Sequence, residues 1–193
     1  MKSLFVILFI AIFAWSLHSC SADKADTTTA ASVTPSKDSL IKRGNYLVTT
    51  IGCNDCHSPK KMGLQGPVVD TSRMLSGFPA GNPAPVASAE DVKNHQIVFS
   101  GDLTGYVGPW GTSFAANITS DATGIGEWNL DRFKTAIRNG KYMGMKEERM
   151  LMPPMPWEEI GVLNDADIEA IFTYLKSTKP VKNVVPSYRP PGK

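Results

Sequence analysis

A mainly α-helical domain threaded by long loops is the fold that this sequence predicts. Three observations carry the prediction. Two segments, Leu40–Ile51 and Ile168–Leu175, place apolar residues at helical spacing. Between them, from about residue 70 to 111, the chain is rich in Gly, Pro and Ser and has no strong period. A Cys-x-x-Cys-His motif at residues 53–57 follows the first segment directly, and a bulky group held there would give the helices something to pack around.

The motif reads Cys53-Asn54-Asp55-Cys56-His57. Two thiols at this spacing, followed at once by an imidazole, form a c-type haem attachment site. Each thiol adds across one haem vinyl group, and the short turn lets both reach the same porphyrin edge. His57 then falls under the iron and ligates it through Nε2. Two other readings use the same residues. A structural zinc site needs two more ligands, and the spare candidates are His18, His95 and Cys20. A thioredoxin-like redox pair belongs near a βαβ pattern, which this chain lacks. Haem is the reading that the motif favours.

The chain has 193 residues, 42% of them hydrophobic, and a formal charge of +2. That suits one globular domain with appendages. Neither disorder nor a strongly basic face is indicated, so nothing points to a nucleic-acid partner. Three cysteines are too few for a disulfide scaffold.

Residues 1–19 read as a signal peptide. Lys2 is the positive start and Leu4–Trp15 an unbroken apolar run, too short for a membrane span. Leu17-His18-Ser19-Cys20 resembles a bacterial lipobox, which makes Cys20 the expected lipidated first residue. His18 departs from the usual small or β-branched residue, and ordinary cleavage leaving a free Cys20 is the alternative. Residues 20–37 are Ser-, Thr-, Ala- and Asp-rich and read as a flexible tether. The expected location is therefore the bacterial cell envelope, with residues 38–193 as a domain facing the periplasm or the outside and held at a membrane surface by lipid.

Asp38 or Ser39 can cap the first helix, whose stripe is Leu40, Ile41, Leu47, Val48 and Ile51 and which runs into the haem motif. Gly44 allows either a close helix crossing or nothing more than a tolerated surface glycine. Residues 96–99 and 104–107 are compatible with a short hairpin across Ser100-Gly101-Asp102-Leu103. Asn129 caps a helix lined by Leu130, Phe133 and Ile137 and stopped by Gly140. Asn164 caps the last helix, with Asp167 in its first turn, the stripe Ile168, Ile171, Phe172 and Leu175, and a stop at Pro180. The Pro-rich segment 181–193 is expected to lie extended over the surface.

Several of these motifs together carry a family resemblance. The Cys-x-x-Cys-His followed by Gly66-Pro67 resembles small class I cytochromes c. The segments Gly108-Pro-Trp-Gly-Thr-Ser-Phe-Ala-Ala-Asn-Ile-Thr119, Gly124-Ile-Gly-Glu-Trp128 and Met152-Pro-Pro-Met-Pro-Trp157 resemble the cytochrome c subunits of bacterial membrane-bound dehydrogenases over about residues 42–185. The resemblance implies a cytochrome c-like helical domain around one covalently bound haem, with the first and last helices crossing. It also implies that the Pro67 carbonyl accepts the second ring N–H of His57, where an ordinary Gly-Pro turn is the plainer reading. Many relatives carry two or three haems; this chain has a single attachment motif and is expected to hold one haem c.

The second iron ligand must come from elsewhere. A Met thioether opposite a His is an electron-transfer arrangement. Prolines on both sides of Met155 stiffen the backbone and can present its side chain outward, and the matching family motif puts its ligand there. Met152 is the runner-up, and both are also plausible core packers. Trp110, Trp128 and Trp157 each offer an indole N–H to a haem propionate, with core packing as the default. Lys60, Lys61, Lys141, Lys146 and Arg149 form either a basic rim that steers a partner or ordinary solvated charge.

Two functions from different classes follow. The first is a lipid-anchored electron carrier that transforms no substrate and exchanges electrons with a dehydrogenase, a quinol-oxidising complex or a terminal oxidase. The second is a haem enzyme or gas-binding protein with an open sixth iron position, for which His95 is the available acid–base residue.

Overall fold

The computed structural model describes residues 34–191. Ser36 caps α1 (Lys37–Thr50), its side chain accepting from the Ser39 amide at 3.2 Å. The cap lies before the expected Asp38 or Ser39. Ser36 is already in extended backbone, and Asp38 then falls in the first turn, where a negative charge suits the helix dipole. Gly52, left-handed at φ 83°, ends the run. The haem motif is therefore a separate short helix, α2 (Cys53–His57), and not a continuation of α1.

After α2 the chain forms a hairpin that the sequence reading did not foresee. β1 (Lys60–Gly63) pairs antiparallel with β2 (Gly66–Val69), Lys60 opposite Val69 and Gly63 opposite Gly66. A long loop follows, interrupted by α3 (Ala89–Lys93), which is closed by a capping box between Ser88 and Asp91. The expected hairpin is present but shorter, and it gains a third strand. β3 (Val98–Phe99), β4 (Gly105–Gly108) and β5 (Gly111–Phe114) form an antiparallel sheet in that order, with Val98 opposite Val107 and Tyr106 opposite Ser113. The described residues thus hold six α-helices and two small sheets, in keeping with a cytochrome c-like domain but with more strand than foreseen.

The C-terminal half follows its caps. Asn129 accepts from the Arg132 amide at 2.9 Å to start α4 (Leu130–Asn139), and Gly140 at φ 60° stops it. α5 (Trp157–Gly161) is one turn long. Asn164 accepts from the Asp167 amide at 2.8 Å to start α6 (Asp165–Ser177).

α1 and α6 cross closely and make the main core. Leu47, Val48, Ile168, Ala170, Ile171 and Leu175 are buried there, joined by Leu75, Ile125, Phe133 and Ile137. Each large apolar side chain so buried contributes about 1.5–3 kcal/mol. Phe133 of α4 meets Phe172 of α6 with ring centroids 5.3 Å apart. Arg43 of α1 forks onto Asp167 of α6, at 2.7 and 3.1 Å. Its guanidinium holds the Asp167 carboxyl below the usual carboxylate range. That pair lies at the surface, where solvent screens it, so the apolar crossing dominates.

The C-terminal segment departs from expectation. It is extended, but it is stitched into the domain. Asn183 is buried, Arg189 exchanges two backbone bonds with Thr112 at 2.8 and 3.0 Å, and the Tyr188 hydroxyl donates to the Trp110 carbonyl at 2.6 Å.

Gly44 is buried in the crossing. A Cβ there would lie 2.0 Å from the Ala170 carbonyl oxygen and 2.6 Å from Tyr174 Cβ. Of the two readings of this glycine, the structure supports the close crossing. Gly44→Ala must push α1 and α6 apart and is expected to destabilise the protein by roughly 3 kcal/mol, read as a lower urea midpoint. An unchanged midpoint would contradict the crossing.

Candidate haem site

The motif's own spacing builds the first part of the site. In one turn of α2 the side chains of Cys53 and Cys56, three residues apart, lie on one face. Both are free thiols and half-buried. Burial pushes the Cys53 thiol up to about 11, reinforced by Cys56 and Asp55 beside it. Among the described residues no group of three or more His, Cys, Asp or Glu side chains gathers in a metal-binding cluster.

His57 is fixed from two directions. Its Nδ1 lies 2.8 Å from the Ala116 carbonyl oxygen. A carbonyl can only accept, so Nδ1 carries the hydrogen and Nε2 keeps its lone pair free. Burial holds the imidazole pKa below its ordinary value, and the Lys60 charge acts the same way, against the Ala116 bond. The ring is therefore neutral at pH 7, as a metal-ligating imidazole must be. The His57 carbonyl accepts from the Gly77 amide at 2.7 Å.

Pro67 does not play the part expected of it. It sits exposed on β2, opposite Met62. The acceptor is Ala116, 59 residues away in sequence. The physical reason is the β1–β2 hairpin. Its neck is closed by the Asp70 amide donating to the Pro59 carbonyl at 2.8 Å, which carries Gly66-Pro67 outward. The place beside the imidazole goes to the Ala115–Ala116 backbone. Sequence reasoning had the clue, the Ala-Ala-Asn-Ile-Thr segment, but nothing local in it points to His57.

Around the motif, polar groups lock α2. Ser58 is fully buried; its hydroxyl donates to Asn54 Oδ1 and accepts from the Leu75 amide, both at 2.8 Å. Lys60 Nζ donates to the carbonyls of Asn54 and Ser58 at 2.9 and 2.8 Å, and also to that of Asp55. This covers carbonyls that α2 leaves free at its C-terminal end. Lys60 is thus a helix-capping group and not part of a solvated rim. Arg149 is also committed, stacked 3.9 Å from the Tyr142 ring centroid, and Lys141 donates to the Glu148 carbonyl at 3.1 Å. Lys61 and Lys146 remain exposed.

A residue that sequence reasoning missed is Tyr106. It is buried on β4, and its hydroxyl donates to the Leu103 carbonyl at 2.7 Å. Burial pushes its pKa up, and the neighbouring Cys56 thiol adds to the rise. The only sequence signal was an aromatic residue in the hairpin.

Met155 is half-buried and packs against the same core that Cys53 touches. It also lines a cavity of about 440 Å³ with Leu151, Pro153 and Trp157. Its loop is anchored at both ends. The Leu151 amide donates to the Gly140 carbonyl at 2.6 Å, and the Ser113 hydroxyl to the Pro153 carbonyl at 2.6 Å. Of the other methionines, Met62, Met143, Met145 and Met150 are exposed; Met74 is half-buried against the same core, whereas Met152 does not reach it.

The tryptophans divide. Trp110 donates its N–H to Ser113 Oγ at 3.1 Å. Trp128 packs on the core under the Arg132 guanidinium, 4.6 Å from the ring centroid. Trp157 lines the Met155 cavity. His95 lies elsewhere, exposed in left-handed backbone at φ 53° beside a second cavity of about 250 Å³ walled by Val92, Val107 and Pro109. Cys20 and the expected signal peptide, residues 1–19, lie outside the described residues, and no described helix is long and apolar enough to cross a membrane.

A helical domain with two free thiols and a neutral, oriented imidazole on one short helix has the donor set of a covalently bound haem. The chain is 30% identical to the gluconate 2-dehydrogenase cytochrome c subunit of Pantoea cypripedii, over 71% of its own length and 23% of that subunit's. It is 28% identical to the cytochrome c subunit of a quinone-dependent alcohol dehydrogenase from Gluconobacter oxydans, over 86% of the chain and 27% of the relative. A shorter match, 39% identical over 41% of the chain and 6% of the relative, is to one of the subunits of a nicotinate dehydrogenase from Pseudomonas putida. The chain thus spans about a quarter or less of the length of these curated relatives. No family model matches it.

The contact that sets the imidazole depends on Gly77. It is left-handed at φ 73°, and a Cβ on it would lie 2.4 Å from the Ala115 oxygen and 2.5 Å from the Ala116 carbonyl carbon. Gly77→Ala combines backbone strain of about 1–3 kcal/mol with displacement of Ala116. It is expected to lower both thermal stability and the yield of haem-loaded protein; normal loading and melting would refute the packing described.

Proposed function

We propose that the chain is a c-type cytochrome with one haem, an electron carrier and not an enzyme. The observation that carries the reading is the pairing of two free thiols on α2 with a His57 ring whose Nδ1 donates to Ala116. The residues fit the group. Cys53 and Cys56 hold it through thioethers, and His57 offers Nε2 to the iron. Bound there, the haem supplies a one-electron Fe(II)/Fe(III) couple.

The protein's own contribution is orientation and burial. The Ala116 carbonyl fixes the imidazole tautomer and strengthens it as a donor. Lys60 and Ser58 hold α2, and the α1–α6 core excludes water from one side. Met155 is the proposed second ligand, supported by its half-buried place against the core that Cys53 touches and by the anchored proline loop that carries it. His95 lines a separate cavity, so the reading of an open-site enzyme or gas sensor gains no acid–base group at this site.

Partners follow from the relatives. Two are cytochrome c subunits of dehydrogenases, which favours a dehydrogenase as electron donor, with a quinol-oxidising complex or a terminal oxidase as other exchange partners. Lipidation at Cys20 would hold the domain at the envelope membrane through the 20–37 tether.

Optical spectra of the haem-loaded protein test the ligand set. Expected is a low-spin ferrous spectrum that carbon monoxide leaves unmoved, with a weak far-red ferric band that disappears in Met155→Ala. A high-spin spectrum that carbon monoxide readily converts would replace the carrier by the open-site reading.

A further inference from the structure

The His57 ring is held by a main-chain carbonyl, and the methyl side chain of Ala116 can make no hydrogen bond to fix its position. Its neighbours do that. The segments 75–78 and 115–118 run side by side. The Phe78 amide donates to the Ala115 carbonyl and the Ile118 amide to the Leu75 carbonyl, each at 2.9 Å. These bonds flank the Gly77–Ala116 contact, while Gly77 also holds the His57 carbonyl. A shift of either segment therefore moves the acceptor relative to the ring.

Both segments are pinned by one buried polar hub. Asn117 is 5% and Thr119 0% exposed. Asn117 Oδ1 accepts from the Thr119 amide at 3.0 Å and from its hydroxyl at 2.8 Å, while Nδ2 donates to Thr123 Oγ1 at 3.1 Å and to the Val181 carbonyl at 2.8 Å. From the C-terminal segment, Asn183 Nδ2 donates to the carbonyls of Ser76 and Phe78 at 2.6 and 2.9 Å. Its Oδ1 accepts from the Ala80 amide at 2.8 Å, and its own amide donates to Thr123 Oγ1 at 2.9 Å. Merely filling this space would require only apolar side chains. A buried amide is tolerated when its hydrogen bonds are met, and a satisfied network makes its surroundings rigid.

On the reading that His57 ligates the iron, we infer that Asn117, Thr119 and Asn183 are positioning residues for that ligand. They hold the Ala116 carbonyl against Nδ1 and so set how strongly the imidazole donates. A firm Nδ1–H···O bond makes the ring more basic and favours the ferric state. Loosening the hub weakens that bond and raises the reduction potential. The C-terminal segment takes part as a strap, through Val181 and Asn183.

The test uses the haem-loaded full chain. Thr119→Val removes the hydroxyl at nearly constant volume, Thr119→Ser restores it, and Thr123→Val loosens the hub at a less buried position. The readouts are the midpoint potential and the spread of the hyperfine-shifted haem methyl resonances of the ferric protein, which reports the imidazole plane. Expected are an upward shift of the potential and a changed spread in Thr119→Val, a smaller change of the same sign in Thr123→Val, and return to the parent values in Thr119→Ser. Loss of melting temperature in both valine variants with potential and methyl spread unmoved would reduce the hub to structural glue and overturn the inference. If Thr119→Val does not load haem, Thr123→Val decides on the same criteria. A parent protein without covalent haem in a pyridine haemochrome assay would instead overturn the cytochrome reading, and the inference with it.

Discussion

The hydrogen bond between His57 Nδ1 and the Ala116 carbonyl, 2.8 Å long, is the constraint on which the rest of the site depends. A cysteine pair on one helical turn can capture a haem edge by spacing alone. An imidazole cannot ligate iron in a defined way by spacing alone, because its ring turns about two bonds and has two nitrogens. One acceptor removes both freedoms. That acceptor comes from a segment far away in sequence, so the imidazole is oriented only once the fold brings Ala116 to His57. The left-handed backbone of Gly77 allows the close approach to Ala115 and Ala116.

The helices serve the same end. α1 and α6 pack closely because Gly44 lets the Ala170 carbonyl approach, and both Cys53 and Met155 pack against the core they share. Within this frame the short α2 needs little stability of its own. Lys60 Nζ donates to carbonyls at its C-terminal end, and the Ser58 hydroxyl donates to the Asn54 side chain. The β1–β2 hairpin projects outward, whereas β4 buries Tyr106 near Cys56. Polar groups near the motif are thus largely engaged in holding backbone, which is why so few of them resemble catalytic acids or bases.

How much of this was legible depends on how local each interaction is. The caps at Asn129 and Asn164, the stripes of α4 and α6 and the stop at Gly140 are contacts within a few residues, and the sequence predicts them. The start of α1 was off by a short step because Ser36, Asp38 and Ser39 can all cap. Its break at Gly52 depends on a left-handed backbone there, which a glycine allows but does not announce. The hairpin at residues 98–107 was visible in its turn, whereas β5 and the β1–β2 pair, with Gly-rich and weakly alternating strands, were not. Pro67 illustrates the limit. A family pattern predicted the acceptor from nearby sequence, but the hairpin neck at Pro59 and Asp70 redirects that stretch and a distant carbonyl takes its place. The burial of Asn183 in a Pro-rich tail is likewise fixed by partners about a hundred residues away, the carbonyls of Ser76 and Phe78.

Covalent attachment of a haem through Cys53 and Cys56 is decided by the intact mass of the mature protein, measured after acid-acetone treatment that strips non-covalent haem. Expected is a chain heavier by the mass of one haem, with that increment lost in a Cys53→Ala, Cys56→Ala double variant, and with the remaining mass reporting whether the chain begins at a lipid-modified Cys20. A treated chain with the mass of polypeptide and lipid alone would contradict it.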